Sequence, residues 1–173
     1  MTFQLIPHPD HPSLSVTSIE AQCWRESGNW HFRYVVDGVA QLLLPDASEP
    51  TRADNLWRTT CFEAFVCGEG TVYREYNFSP SGQWAAYEFA APRDGMRHAD
   101  DQAEVWLEGG EVWIAVEAAV SSVLAPGSPL NLTAVIEEQG GTKSYWALAH
   151  PDGPPDFHNR DCFIAQLPSL ETP

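Results

Sequence analysis

Leu56–Phe89 reads LWRTTCFEAFVCGEGTVYREYNFSPSGQWAAYEF, and its period decides the fold. From Thr60 to Val66, Phe62, Ala64 and Val66 alternate with Cys61, Glu63 and Phe65. A period of two in a run rich in aromatic and branched residues predicts a strand. Cys67-Gly68-Glu69-Gly70 is a turn, and Val72 to Phe78 alternates again, with Tyr73, Glu75 and Asn77 on one side. Ser79-Pro80-Ser81-Gly82 interrupts, and Gln83 to Phe89 resumes. A meander of these three runs puts Glu63, Glu75 and Asn77 on one sheet face, and that face is where function is expected.

Outward from this stretch the pattern repeats. Toward the N-terminus, Phe3–Ile6 predicts a short strand, followed by an arm stiffened by Pro7, Pro9 and Pro12. Leu14–Glu26 and Trp30–Val36 predict a hairpin turning at Glu26-Ser27-Gly28-Asn29. The continuous apolar run Val39–Leu44 predicts a buried strand, closed by Pro45, and Asp46–Asn55 reads as loop. Toward the C-terminus, Ala91–Asp101 is irregular, and Gly109-Gly110 separates two further strands. Val120–Leu124 predicts a helical turn. Asn131–Glu138 and Thr142–Ala149 flank Gly140-Gly141, and a short apolar run, Cys162–Leu167, ends the pattern. About ten or eleven short strands without a convincing helix predict an all-β sandwich or barrel closed by sheet-on-sheet packing, the sandwich being a two-sheet antiparallel β-sandwich.

The chain has 173 residues, 43% of them hydrophobic and 19% charged, which fits a single domain over 1–173 with a core over about 14–167. A net charge of -15 repels phosphate backbones and anionic lipid, arguing against nucleic-acid and membrane partners. No apolar run approaches the roughly 20 residues that cross a bilayer. The start, MTFQLIPHPDHPSL, lacks a basic region followed by an apolar stretch. Cys23, Cys61, Cys67 and Cys162 form no CxxC pair, and Cys61 and Cys67 lie near opposite ends of one strand, too far apart to bridge. Reduced cysteines and a cytoplasmic chain are the expectation.

Three pieces together, LWRTTCFEAFV, YREYNFSPSGQWAAYEF and YWALAHPDGPPDFHNRDCF, resemble bacterial DOMON-like domains, which are related to family-nine carbohydrate-binding modules. The resemblance covers roughly 14–167. It implies a β-sandwich of jelly-roll-like or immunoglobulin-like arrangement with a ligand pocket over one sheet. In carbohydrate-binding relatives, aromatic side chains hold a terminal sugar and polar residues bond its hydroxyls. In haem-binding relatives, a Met and a His are the axial ligands.

The candidate ligand-binding residues are Trp57, Arg58, Glu63, Glu75, Asn77, Trp84, Arg93 and His158. Glu63 and Glu75 sit between bulky apolar residues, where a carboxylate needs a partner; the partner is a ligand or an arginine such as Arg58, Arg74 or Arg93. Asn77 offers donors and an acceptor to a sugar diol, or pins the Ser79-Pro80 turn. Trp57 and Trp84 lie beside loops and offer stacking faces; Tyr87, Trp113 and Trp146 do too, although aromatics in such a fold more often fill the core. Arg58 and Arg93 can fork onto hydroxyls or pair with acids. Met96 and His98, two apart, cannot both be axial haem ligands, so His150 or His158 is needed as the second. His150, His158, Asp152, Asp156 and Asp161 crowd the last loop without zinc spacing. No EF-hand pattern exists, which leaves calcium, at Asp100-Asp101 or in that loop, as a minor expectation beside haem.

These residues and the resemblance together predict a non-catalytic domain that binds a carbohydrate or sugar-like small molecule. The alternatives are a glycoside-processing enzyme, since two carboxylates about 5–10 Å apart suffice for that chemistry, and a haem-binding DOMON-type domain. Oligomeric state is not encoded in any motif here.

Overall fold

The computed structural model describes residues 1–169. They form twelve strands: β1 (Thr2–Pro7), β2 (Ser18–Glu26), β3 (Asn29–Asp37), β4 (Cys61–Cys67), β5 (Tyr73–Phe78), β6 (Trp84–Phe89), β7 (Arg97–His98), β8 (Gln102–Gly109), β9 (Trp113–Ser121), β10 (Pro129–Glu138), β11 (Thr142–Ala147) and β12 (Ala165–Gln166). No α-helix occurs among the described residues, only single 3-10 turns. The fold is therefore all-β, as the alternation predicts.

The expected pair of separate sheets is instead one continuous antiparallel sheet, curled into a half-barrel in the order β7-β6-β5-β4-β10-β11-β1-β2-β3-β9-β8, with β12 on β10. The link is β1. Its first part, Thr2–Leu5, pairs with β2, and its last two residues, Ile6 and Pro7, pair with Ala147 and Trp146 of β11. One strand thus belongs to both arms of the curl. The two ends of the sheet, β7 and β8, are sequence neighbours joined by Ala99–Asp101. That joint is clasped: Tyr76 Oη donates to Asp101 Oδ2 at 2.8 Å, and Arg74 Nη1 to the same carboxylate oxygen at 3.0 Å. The Arg52 guanidinium holds the carbonyls of Ala86, Ala99 and Asp101.

The main core lies inside the curl. Phe32 meets Phe78 at 5.7 Å between ring centroids, Tyr34 meets Phe62 at 5.1 Å, and Tyr34 Oη donates to the Glu63 carbonyl at 2.6 Å. Leu130, Leu132 and Ile136 of β10 complete it. Every residue of β4 is buried, because its other face carries a second apolar cluster of Phe65, Cys67, Tyr73, Tyr87, Phe89 and Phe163. Strands covered on both faces need loops over the outer one, and those loops make the site described below. All four cysteines are buried and unpaired.

Two local expectations are corrected. Val39–Leu44 is no buried strand: Val39–Gln41 is a 3-10 turn, and Leu43 and Leu44 are exposed. Gly38, at φ +82, sets this up; a Cβ there would stand 2.2 Å from the Ser15 carbonyl oxygen, so the chain bends where only glycine fits. Val120–Leu124 is no helical turn either, since β9 runs on to Ser121 to pair with Gln102. In both places apolar content was read without the pairing partner that settles the conformation.

The residues before β2 are fixed by one side chain. Glu138, fully buried, accepts from the backbone N–H groups of Leu14, Ser15 and Val16 at 2.6, 2.7 and 3.2 Å. The Ser13 and Ser15 hydroxyls also donate to it, each at 2.8 Å. Burial pulls its pKa up, but these donors outweigh that and hold it below the ordinary glutamate range.

Candidate functional site

The meander brings the predicted acidic face together. Glu63 on β4 stands opposite Asn77 on β5 and Thr133 on β10. Glu75, two pairs further along and so on the same face, stands opposite Phe65 and Tyr87. All of these point away from the main core, toward the loops that cover the outer face. The cavity there, open on one side, has a volume of about 720 Å³, within the range of roughly 300–1,000 Å³ common for small-molecule pockets.

At its base are two carboxyl groups, Glu63 at 3% exposure and Glu75 at 6%. Thr133 Oγ1 donates to Glu63 Oε2 at 3.0 Å, and Asn77 Nδ2 donates to Glu75 Oε1 at 2.7 Å. Each keeps a second oxygen without a hydrogen-bond donor among the described residues, and no arginine or lysine forms an ion pair with either. Burial pushes both pKa values up. Glu63 rises well above the carboxylate range, the charge of Glu75 adding to burial and the Thr133 hydroxyl opposing it. Glu75 rises to about 7, restrained by the Asn77 amide and by the Arg93 charge. Two facing acids in a dry site share protons rather than both ionising, so the pair retains a proton at neutral pH.

His158 stands beside them. The Tyr73 hydroxyl accepts from the Arg93 backbone N–H at 3.1 Å and lies 2.7 Å from His158 Nδ1. Either group can be the donor in that bond, since the hydroxyl oxygen has two lone pairs, and His158 Nε2 lies 3.8 Å from Glu75 Oε2. Burial lowers the His158 pKa to about 4, aided by Arg93 and opposed by Asp156, so the ring is neutral. Arg93, in a left-handed conformation at φ +58, is spent on Asp156, with Nη2 2.8 Å from Oδ1.

The walls are apolar and aromatic: Phe65, Tyr87, Phe89, Trp57, Tyr145 and Phe157. Trp57, 49% exposed, stands at the rim on the 3-10 turn Leu56–Arg58. Tyr87 Oη donates to Asp54 Oδ1 at 2.6 Å, which fixes the hydroxyl end of the ring and adds a third acid to the lining.

Of the eight candidate residues, Trp57, Glu63, Glu75, Arg93 and His158 line this cavity, and Asn77 supports it from beneath through Glu75. Arg58 does not line it; its guanidinium lies 5.5 Å from the Trp57 ring centroid. Trp84 belongs to the main core on the opposite face, 5% exposed, with Arg52 stacked 4.5 Å from its ring. Its parity gives the reason: Trp84 pairs with Phe78 and shares that core-facing side, whereas Ala85 and Tyr87 share the side of Asn77 and Glu75. Trp146 is likewise core, and Trp113 lies away from the cavity.

Residues missing from the sequence reading come from distant segments: His11, Asp54, Asn55, Val135, Tyr145 and Phe157. Val135 and Tyr145 were recoverable in principle, since they pair with each other across β10 and β11 on the face of Thr133. The loop residues carried no periodic signal.

A haem does not fit these side chains. His158 is the buried imidazole of the cavity, and its Nδ1 is taken by Tyr73 while Nε2 faces Glu75. Among the described residues no group of three or more His, Cys, Asp or Glu is placed to hold a metal ion.

No family sequence profile and no curated protein matches the chain. In three dimensions it is similar to the crystal structure of a provisionally assigned carbohydrate-binding protein from Bacteroides uniformis, with a TM-score of 0.62 and 14% identity, covering 94% of this chain and 83% of that one. At that identity the likeness is one of fold, an all-β architecture shared along nearly the whole chain.

Proposed function

We propose that this chain is a non-catalytic, DOMON-like carbohydrate-binding domain that takes a small sugar or sugar-like molecule into the cavity above β4, β5 and β6. The observation that carries this reading is the pairing of two buried carboxyl groups, each with an oxygen free of donors, with aromatic walls on the same cavity. A sugar presents both chemistries that such a site satisfies: hydroxyl donors for the free oxygens and an apolar C–H face for the rings. The provisional naming of the Bacteroides uniformis structure agrees with this at the level of the fold. The test is a thermal-shift and calorimetric screen of mono- and oligosaccharides. A ligand present at 100 times its dissociation constant adds about 2.7 kcal/mol of stability. The shift should vanish in Glu75→Ala and shrink in Trp57→Ala. No response to any sugar sinks the reading.

One observation favours a second reading. Glu75 titrates near neutral pH beside a second buried carboxyl, Glu63, and the general acid of a glycoside-cleaving pair is raised in the same way. Release of nitrophenol from aryl glycosides, lost in Glu63→Gln, would establish hydrolysis; no release with intact sugar binding would leave the domain a binder.

A further inference from the structure

Glu63 and Glu75 are two acids without a base. Several other charged side chains are paired, Arg33 with Glu117, Arg74 with Asp101, Arg93 with Asp156 and Arg97 with Glu88, and the buried Glu138 is met by the donors of Ser13–Val16. Arg93 is the arginine on the cavity, and its guanidinium is already occupied by Asp156. His158 meets Glu75 as a neutral ring at 3.8 Å. Asp54 at the mouth is bonded to the Tyr87 hydroxyl, which carries no charge. The cavity thus gathers three carboxyl groups on aromatic walls; no arginine or lysine forms an ion pair with Glu63 or Glu75, Arg93 acts on Glu75 only through its more distant charge, and Asp54 has His98 Nε2 at 3.8 Å.

A purely structural role would not leave the pair in this state. Burying one carboxyl against another costs several kcal/mol unless a cation or a proton compensates. An isosteric amide at either position would remove the repulsion and keep the hydrogen bonds from Thr133 and Asn77. A stable fold therefore gains nothing from two acids here, while a ligand that brings its own positive charge does. Aromatic walls suit the same ligand, because ring faces attract an ammonium group.

We infer that the molecule bound here presents an ammonium group to Glu63 and Glu75, so that, resting on the carbohydrate reading above, its class is an amino sugar. The ammonium donates to the two free carboxylate oxygens, and the proton that the acids share leaves to solvent. Binding is then coupled to proton release. Groups facing the pair bear on that coupling in known ways. Cys61 on β4 is neutral, its thiol pushed up by burial; Tyr73 and Tyr87 are neutral by the same cause. His158 is neutral, and Arg93 offsets Asp156. Asp54, bonded to the Tyr87 hydroxyl, His98, 3.8 Å from Asp54, and His11 also line the cavity. The release is assigned to the proton held by Glu63 and Glu75, and the double variant below tests that assignment.

The experiment is isothermal titration calorimetry of the whole chain with glucosamine, glucose and cyclohexylamine at pH 6, where both amines are charged. Each is run in two buffers of different ionisation enthalpy, so that the difference in heat counts protons released. Each pH unit by which a cation lowers the pKa of the pair makes its binding about tenfold tighter above that titration than below it. The expected result is glucosamine binding at least about tenfold tighter than glucose, with release of roughly half a proton or more for glucosamine and about none for glucose. Both differences should disappear in the Glu63→Gln, Glu75→Gln double variant, whose fold is checked by circular dichroism. Equal binding of glucose and glucosamine without proton release overturns the ammonium contact and leaves the sugar reading standing. Cyclohexylamine binding as well as glucosamine, with no response to glucose, keeps the ammonium contact and overturns the sugar. Binding of none of the three overturns both.

Discussion

Asn77 donates its side-chain amide to Glu75 Oε1 at 2.7 Å, from a position two residues further along the same strand. The bond favours the ionised carboxylate and is the larger of two restraints on a pKa that burial drives upward. Asn77→Ala should therefore move the Glu75 titration above about 7, read from its carboxyl carbon by NMR across pH. An unchanged titration would mean that the amide does not set the charge state of the site.

Glu75 also makes stability depend on pH in a direction unusual for a glutamate. Its pKa in the folded chain is raised from 4.5 to about 7, so the folded state holds a proton that the unfolded chain has released. Its contribution is full below pH 4.5 and is lost as pH rises toward 7, an effect on the order of 3 kcal/mol across that interval. Glu75→Gln should flatten this slope and leave the ligand-free protein more stable at pH 8 than the wild type. Denaturant melts at several pH values measure both.

Glu138 runs the other way. Its pKa is held below the ordinary range by the donors from Ser13–Val16, so its stabilisation is present above pH 4.5 and disappears as pH falls through the lowered value. Glu138→Ala removes the acceptor of the Leu14 and Ser15 N–H groups and leaves the buried N–H of Val16 with the Ser13 hydroxyl alone. It should cost about 3 kcal/mol or more and reduce the loss of stability in acid. Proteolysis at the segment before β2 should accelerate in the same variant.

Two tryptophans separate fold from site. Trp57 stands half-exposed at the rim, so Trp57→Ala should weaken ligand binding by about 1–2 kcal/mol with little change in melting temperature. Trp84 is packed in the main core under Arg52, so Trp84→Ala should destabilise by about 3–5 kcal/mol while leaving the affinity of the folded fraction intact. Parallel melting and calorimetry of both variants decide the matter.

Tyr73 joins the loop that carries Arg93 to the loop that carries His158 through one hydroxyl. Tyr73→Phe should keep the ring stack on Phe89, centroids 4.9 Å apart, and lose both hydrogen bonds. Faster amide exchange over 151–159, together with weaker ligand binding, is the expected outcome; unchanged exchange would show the loop to be held by packing alone.

Most of this face could be read from Leu56–Phe89. Alternation is local, so Glu63, Glu75 and Asn77 were assignable to one side before any partner was known. Parity also marked Trp84 as standing with Phe78 and against Asn77, had it been carried through the Ser79–Gly82 turn, which keeps the register of Asn77 with Ala85. What local pattern does not carry is pairing between distant segments. Nothing in Thr133, Val135 or Tyr145 points to Glu63, because the partner of β4 lies about 70 residues downstream. Loop residues such as Phe157 and Asp54 are placed by the sheet beneath them. The curl itself rests on β1 serving two neighbours, a division between Leu5 and Ile6 with no signature of its own.

That division sets an order of events on the ribosome. β1 emerges first and finds β2 within some 20 residues, yet Ile6 waits for Ala147. At about 5–20 residues per second the interval is on the order of ten seconds. Until then the nascent chain carries a half-satisfied strand and a binding face without its covering loops. Closure of the curl is then a late long-range step, followed by the seating of the last loop on Tyr73 and Phe65 and of β12 on β10, and conditions that slow it should favour aggregation. Pausing near the start of β11, more than anywhere earlier, would lengthen that vulnerable period.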